Sequence, residues 1–381
     1  MRPTAPRRPA PCRRPGTPRP LIAAVATCLA AIVTACGTVG EKSALVPPAG
    51  EREALRAGEV DEVVPLDGPA DETVDELSLG APASSAATVT TLAPTTTVAT
   101  TTTLTPAQRF TVDPYRGLGA WIDVFDWTVH YSDREQQERL DPAVLDELAA
   151  RGVRTLYLQI ARYDWPADPS GIPEPDLLAR WLARADAAGL AVVGWYLPTH
   201  EDPAADLRRV LAMAELDIDG VALDIESNRV RDIPTRNARL IQLVDEVEAA
   251  LPGATIGAIV VPPYVTELPS STYWPTYPWA ALGQRLDVFL PMSYWTQRPV
   301  ESGVRDGHTY IRHGIDRVRA LTGRPDALVH PVGGIADASS YADVAGMVQA
   351  ANETGAIGIS MYDVKTSGPD VWSALELFGG D

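Results

Sequence analysis

From residue 117 onward, the chain alternates between two patterns of hydrophobic and polar positions. Short runs rich in β-branched and aromatic residues are separated by longer stretches in which apolar residues recur at helical spacing. This alternation predicts repeated βα units around a parallel sheet. The short runs are predicted to form eight strands, at 118–125, 155–161, 191–197, 220–225, 255–261, 288–294, 328–332 and 356–362.

Several of the predicted helices have clear ends. Asp141 and Asp202 each precede a proline, which gives a side-chain cap followed by a residue that favours the first helical position. Gly189 ends one helix, whereas the segment 262–278 is rich in proline and aromatic residues and predicts the weakest helix. Eight strands and eight helices predict an α/β fold, a single (β/α)8 TIM barrel, which takes about 250 residues. Residues 107–381 can accommodate one such barrel.

The first 35 residues have the features of a lipoprotein signal peptide. An arginine-rich opening precedes an apolar run at 21–35, whose roughly fifteen residues are short of the about 20 that a membrane-spanning helix needs. The run ends in Val-Thr-Ala-Cys, which resembles the bacterial lipobox and predicts that Cys36 is lipidated. The alternative is a transmembrane anchor with an incidental cysteine.

Residues 36–106 show little periodic hydrophobicity. An acidic stretch at 51–76 is followed by a stretch of Ala, Ser, Thr and Pro at 81–106. Such a composition cannot bury enough apolar surface to fold, so it predicts a disordered tether. Together with Cys36, the tether predicts an exported protein that a lipid anchors to the cell membrane, facing the cell wall or the extracellular side.

The composition narrows the partners and cofactors. The formal net charge of the chain is -18, which argues against nucleic acid as a partner because phosphate recognition relies on clustered Lys and Arg. The three cysteines, Cys12, Cys28 and Cys36, all precede the predicted barrel, which therefore can form no disulfide or thiolate metal site. The five histidines are scattered without metal-ligand spacing. We expect no metal and no cofactor, and we assume a monomer.

The fourth predicted strand carries the strongest chemical signal. Side chains alternate along a strand, so Asp224 and Glu226 are predicted to point together into the barrel mouth while their apolar neighbours point to the helices. In this fold the carboxyl ends of the strands carry the reacting groups. Two carboxylates close together raise the pKa of at least one of them, which suits general acid catalysis. The alternative is a solvated acidic strand end, or an ion pair with Arg162 or Arg229.

Other strand ends add groups suited to binding a sugar. All nine tryptophans lie in the predicted barrel, and flat aromatic rings match the apolar faces of sugar rings while nearby polar groups bind the hydroxyls. The alternative for any single ring is a place in the core. The predicted substrate-binding residues are Asp123, Asp126, Trp127, Tyr157, Gln159, Trp195, Tyr196 and Trp295.

Two short patterns resemble those of the family 18, chitinase-like, glycoside hydrolases. The pattern Asp-Gly-x-x-x-Asp-x-Glu at 219–226 is similar to their Asp-Gly-x-Asp-x-Asp-x-Glu, with Ala222 at the position of their first inner Asp. The sequence Met-Ser-Tyr at 292–294 is similar to their strand-six Met-x-Tyr-Asp, with Trp295 at the position of the Asp.

The same region also resembles the family 25, lysozyme-like, glycoside hydrolases. These begin with a strand similar to Asp-Val-Ser-x-Trp and carry Asp-x-Glu on a later strand. Here the corresponding sequences are Asp-Val-Phe-Asp-Trp at 123–127 and Ala-Leu-Asp-Ile-Glu-Ser at 222–227. Family 25 barrels have fewer helices than the eight predicted here.

Both resemblances imply the same chemistry. In both families the Glu matching Glu226 is the proton donor, and the Asp matching Asp224 assists the N-acetyl group of the substrate. The family 18 resemblance implies that Tyr294 helps to orient that group. The expected function is therefore that of a cell-surface glycoside hydrolase that cleaves a polysaccharide containing N-acetylhexosamine, such as peptidoglycan or a chitin-like glycan.

Two other functions remain open. Ala222 and Trp295 replace acids of the family 18 pattern, which favours a barrel that binds carbohydrate without cleaving it. The glycines in the segment 330–335 follow the seventh strand, where metabolic barrels commonly bind phosphate. Predicted export and a tether argue against a metabolic barrel.

Overall fold

The computed structural model describes residues 104–267 and 273–379. The signal peptide at 1–35, Cys36 and the tether up to residue 103 lie outside the described residues. Among those described, all strands run parallel in one sheet that closes on itself, because β5 pairs with β6 and β1 pairs with β9. The strands are β1 (Gly117–Ile122), β2 (Thr155–Ala161), β3 (Ala191–Tyr196), β4 (Gly220–Ile225), β5 (Ile256–Val260), β6 (Val288–Ser293), β7 (Leu328–Val329), β8 (Val332–Gly333) and β9 (Gly358–Met361).

The strands fill eight positions, since β7 and β8 both pair with β6 and together form the seventh. Helices follow every position around the outside. They are α1 (Pro106–Arg109), α2 (Val124–Trp127), α3 (Val129–Arg134), α4 (Val144–Ala150), α5 (Pro175–Ala188), α6 (Pro203–Ala214), α7 (Ile233–Ala250), α8 (Pro263–Thr266), α9 (Trp279–Gly283), α10 (Gly307–Thr322), α11 (Tyr341–Thr354) and α12 (Pro369–Leu375). The predicted (β/α)8 barrel is confirmed. As expected from its prolines, the described part of the connection between β5 and β6 contains the short helices α8 and α9.

Two strands differ from their predicted extents for local reasons. β1 ends at Ile122 because the Asp123 side chain accepts a hydrogen bond from Phe125 N (2.8 Å) and caps α2. The seventh strand is interrupted between β7 and β8 because Pro331 has no N–H to donate to the ladder. Nearly every strand residue is buried, as expected for strands packed between a filled interior and a ring of helices.

The segment before β1 packs against the barrel. Arg109 Nη1 donates to the carbonyl of Ala214 (2.6 Å). Tyr115 Oη donates to the carbonyl of Val221 (2.6 Å) and accepts from Gly257 N (3.2 Å), which ties the segment to β4 and β5. In the part of the chain that the structure describes, no helix is both long enough and apolar enough to span a bilayer.

Candidate active site

A cleft of about 230 Å³ opens at the carboxyl ends of the strands. This is the end of the barrel where this fold places its reacting groups. Seven residues singled out from the sequence line it together: Asp123, Asp126, Gln159, Trp195, Asp224, Glu226 and Tyr294.

Asp224 and Glu226 lie side by side at the end of β4. Both side chains are buried, at 6% and 2% exposure, and both line the cleft, whereas the alternate residues Leu223 and Ile225 face the helices. Asp224 Oδ1 accepts no hydrogen bond from the described residues. Burial, reinforced by the charge of Glu226, raises the pKa of Asp224 well above its usual range. A raised pKa favours the protonated form of a carboxyl group, which is the form that general acid catalysis uses.

Two tyrosines from the connection between β5 and β6 hold the end of β4 in place. Tyr277 Oη donates to the carbonyl of Ile225 (3.0 Å), and Tyr273 Oη donates to the carbonyl of Glu226. These hydrogen bonds to backbone carbonyls fix the position of the Glu226 main chain, from which its side chain extends into the cleft. Nothing in the periodicity of the sequence singled out these tyrosines, because their partners are carbonyl groups distant along the chain.

Trp121 adds a flat aromatic surface that the sequence reasoning missed. It lies on β1, lines the cleft and stacks on Tyr157 with ring centroids 4.4 Å apart and planes at 10°. Its ring also meets the edge of Trp195, 6.0 Å away. The signal was available, since Trp121 lies two residues before Asp123, a predicted substrate-binding residue, and so shares its side of the predicted strand.

A chain of hydrogen bonds through the barrel interior orients Trp121. Its indole N–H donates to Ser360 Oγ (2.7 Å), which lies 2.9 Å from His330 Nε2. His330 Nδ1 lies 2.8 Å from the carbonyl of Tyr115, which can only accept, so Nδ1 carries the proton and Nε2 accepts from Ser360. Burial lowers the pKa of His330 to about 4, so the ring is neutral at neutral pH. Every link in the chain has a fixed donor and acceptor.

A second group of carboxylates, which we call the acidic cluster, lines the cleft beside β1 and β9. It comprises Asp123, Asp126 and Asp363. Tyr362 Oη donates to Asp123 Oδ2 (2.6 Å), and Lys365 Nζ lies 3.3 Å from Asp126 Oδ1. Burial, followed by the charge of Asp363, raises the pKa of Asp123 to about 6. Burial, followed by the charges of Asp123 and Asp363, raises the pKa of Asp126 to about 8 despite the opposing effect of Lys365.

The sequence reasoning identified two of the three carboxylates of the acidic cluster, Asp123 and Asp126, and missed Asp363. Asp123 and Asp126 were selected because they lie at the carboxyl end of the first predicted strand and just after it. Tyr362, Asp363 and Lys365 follow β9 in the same way and line the same cleft. Applying the same rule to the last strand would have found them.

Four of the predicted substrate-binding residues lie behind the cleft wall and do not line it: Trp127, Tyr157, Tyr196 and Trp295. The Trp127 indole N–H donates to the carbonyl of Gln159 (3.0 Å), and Tyr196 Oη donates to Asp206 Oδ1 (2.6 Å). Each of the four rings is almost completely buried. In the structure they pack beneath and around the site, and their contact with substrate stays a prediction.

The two arginines named above as candidate partners of the β4 acids each form an ion pair with another carboxylate. Arg162 forms an ion pair with Asp164 (2.9 Å), and Arg229 forms one with Glu201 (2.7 Å). Within residues 104–267 and 273–379, no group of three His, Cys, Asp or Glu side chains is arranged to hold a metal ion.

The fold and the cleft define a (β/α)8 barrel with buried carboxylates and aromatic rings at its carboxyl end. No protein-family model and no curated protein matches the chain. Among solved structures it is similar to the spore cortex-lytic enzyme SleL of Bacillus cereus, with a TM-score of 0.52 and 12% identity over 70% of this chain and 75% of that chain. A class V chitinase of Pseudomonas fluorescens gives a TM-score of 0.47 and 12% identity over 68% of this chain and 98% of that chain. At 12% identity the likeness to SleL establishes the fold alone.

Proposed function

We propose that this protein is a glycoside hydrolase that cleaves a polysaccharide containing N-acetylhexosamine, such as peptidoglycan or a chitin-like glycan. The observation that carries the proposal is the buried pair of Asp224 and Glu226 at the end of β4, in a cleft lined by Trp121 and Trp195. Enzymes of this class need one carboxyl group that can donate a proton to the leaving group. They also need a surface, often aromatic, on which the sugar ring can lie. The shared fold with a spore cortex-lytic enzyme agrees with such an activity.

Glu226 acts as the general acid and base in this proposal. It follows the last residue of β4 and gives its proton to the glycosidic oxygen as the bond from that oxygen to C1 breaks. The acetamido oxygen of the substrate forms the new bond to C1. Water then opens the cyclic intermediate, with Glu226 taking a proton from that water, which restores the enzyme and retains the configuration at C1.

Asp224 assists the acetamido group. Its Oδ1 atom is buried without a partner among the described residues and therefore can accept a hydrogen bond from the acetamido N–H. Nitrogen gains positive charge as the ring closes, so an ionised Asp224 stabilises the cyclic intermediate. Tyr294 lines the same cleft and orients the acetamido oxygen from β6.

The alternative is a barrel that binds carbohydrate without cleaving it. Ala222 lies on the same side of β4 as Asp224, two residues earlier, where it is buried and offers no carboxylate. An enzyme that passes a proton between two inner acids would lack one of them here. The aromatic surface of the cleft would still suit a bound glycan.

We also propose that the protein acts outside the cell. The apolar run at 21–35 and the lipobox-like ending at Cys36 support export and lipid attachment. A tether of roughly 70 residues could carry the barrel up to about 200 Å from the membrane if extended at about 3.1 Å per residue.

The proposal is tested by incubating the purified protein with peptidoglycan, chitin and a plant β-glucan and identifying soluble products by mass spectrometry. We expect fragments ending in N-acetylhexosamine from peptidoglycan or chitin, and none from the glucan. Binding to these polymers without release of fragments would support the alternative. Cleavage of the glucan at a comparable rate would contradict the acetamido mechanism.

A further inference from the structure

The acidic cluster lies across the barrel from the pair on β4. Around the closed sheet, β9 is four positions from β4 in either direction, so the residues that follow β9 face the β4 pair across the cleft. Trp121 lies between the two sides, with its ring centroid 6.0 Å from Trp195 and 6.5 Å from Tyr362. A glycan lying over Trp121 would therefore meet both groups of carboxylates.

The acidic cluster binds an ammonium group of the protein itself. Three carboxylates line this side of the cleft, and Lys365 is the lysine that contacts them. The Lys365 ammonium lies 3.3 Å from Asp126 Oδ1 and donates to Gln137 Oε1 (3.1 Å). This contact is an example, within the protein, of an ammonium bound by the cluster.

The second carboxylate oxygen of Asp126, Oδ2, is evidence for a ligand at this place. The Asp126 side chain is 5% exposed and lines the cleft, and its Oδ2 atom has no hydrogen-bond partner among the described residues. A buried polar atom left without a partner costs about 1–3 kcal/mol, more when charged, so such atoms in native proteins normally have one. Oδ2 can therefore bind the ammonium group of a ligand as Oδ1 binds the ammonium group of Lys365.

We propose that the acidic cluster is a subsite for an ammonium group on the glycan, with Asp126 Oδ2 as its principal acceptor. The ligand class is a 2-amino-2-deoxyhexose unit that lacks its acetyl group. The inference rests on the proposed function and narrows its substrate to a partly de-N-acetylated polymer, with an acetylated unit at Asp224 and a free amine near Asp126.

The titration of the cluster supports this assignment. Burial and mutual repulsion raise the pKa of Asp126 and of Asp123, and a bound ammonium would add the positive charge that lowers both. The charged groups that act on Asp126 are Asp123, Asp363 and Lys365. Binding of an amine should therefore release protons from the protein, whereas binding of a neutral acetylated sugar should not.

The test is calorimetric titration of the full-length protein at pH 6 with two ligands. One is the N-acetylglucosamine tetramer, and the other is the same tetramer with one acetyl group removed. We expect the amine-bearing tetramer to bind about tenfold more tightly, as one charge-assisted hydrogen bond provides. The gain should shrink as salt is added. In two buffers of different ionisation enthalpy, only the amine-bearing tetramer should release protons.

Variants test whether the acidic cluster causes the tighter binding of the amine-bearing tetramer. Asp126→Asn should abolish the tenfold gain, so that the amine-bearing and the fully acetylated tetramer bind this variant with equal affinity. Lys365→Gln removes the ammonium group that competes for Asp126, so it should increase the affinity of the amine-bearing tetramer relative to the fully acetylated one. Asp316→Asn is the matched control, because Asp316 is exposed on α10 and does not line the cleft. Asn has the shape of Asp and removes repulsion, so the variant should fold, which its melting curve checks.

The outcomes separate this inference from the proposed function. Equal binding of the two tetramers by the wild-type protein, or an undiminished gain in Asp126→Asn, would overturn the subsite even if the acetylated tetramer is cleaved. A tenfold gain that depends on Asp126, with no cleavage of either tetramer, would support the subsite and contradict the hydrolase. No binding of either tetramer would contradict both.

Discussion

The hydrogen-bond chain beneath Trp121 makes a quantitative prediction. Ser360 is fully buried and is the link between the Trp121 indole N–H and His330 Nε2. Ser360→Ala would leave one buried donor and one buried acceptor without a partner, each costing about 1–3 kcal/mol. We expect the free energy of unfolding to fall by about 2–4 kcal/mol, which for a domain of this size lowers Tm by roughly 4–12 °C.

The control for this variant is Ser293→Ala. Ser293 is equally buried, but its hydroxyl makes a single hydrogen bond, to the carbonyl of Pro291 (3.2 Å). Its loss should cost only about 1 kcal/mol. Denaturant unfolding of both variants, followed by tryptophan fluorescence, measures the difference. If Ser360→Ala costs no more than Ser293→Ala, the chain does not hold Trp121 and the reasoning is refuted.

Three further predictions concern the rest of the chain. Because the pKa of Asp126 is raised to about 8 in the folded protein, the native state holds that proton more tightly than the unfolded state, so stability should fall as pH rises from about 4 through 8. Asp126→Asn should flatten this slope in melts from pH 5 to 9, and an unchanged slope would exclude the assignment. A chain beginning at Leu104 should unfold in one cooperative transition with the Tm of the full chain, because Tyr115 keeps its contacts; failure to fold would move the domain boundary. Cys36→Ala should abolish lipid attachment in the native host, and an intact mass showing unmodified Cys36 in the wild-type protein would rule out the anchor.

The barrel could be predicted from the sequence because every strand is buried on both sides and so gives an apolar run of its own. The residues at which the strands end were harder to predict from the sequence. Asp123 looked like the interior of a strand, yet its side chain caps the helix that ends β1. An aspartate can occupy either the end of a strand or the cap of a helix, and only the folded path of the backbone distinguishes these two positions.

The buried carboxylate pair could be predicted because strand alternation determines the direction in which Asp224 and Glu226 point. The aromatic residues could not be assigned in the same way. Trp127 and Trp295 follow their strands on single turns of helix, where the period of two no longer applies, and both turn into the core. Trp121, still within β1, obeys the alternation and lines the cleft.

The acidic cluster could not be derived from a single segment. Asp123 and Asp363 are 240 residues apart in the sequence and meet only because the sheet closes between β1 and β9. A sequence reading that takes strand ends one at a time sees isolated acids. Closure of the barrel turns them into one charged surface.

The most direct test of the central claim is the rate of glycan cleavage by Glu226→Gln, measured beside its binding of the same glycan. Gln has the shape of Glu but cannot supply the proton, and general acid catalysis is worth about 10² to 10⁴ in rate. We predict that the variant binds the N-acetylglucosamine tetramer as the wild-type protein does and cleaves it at least about a hundredfold more slowly. Cleavage at the wild-type rate by Glu226→Gln would contradict the account.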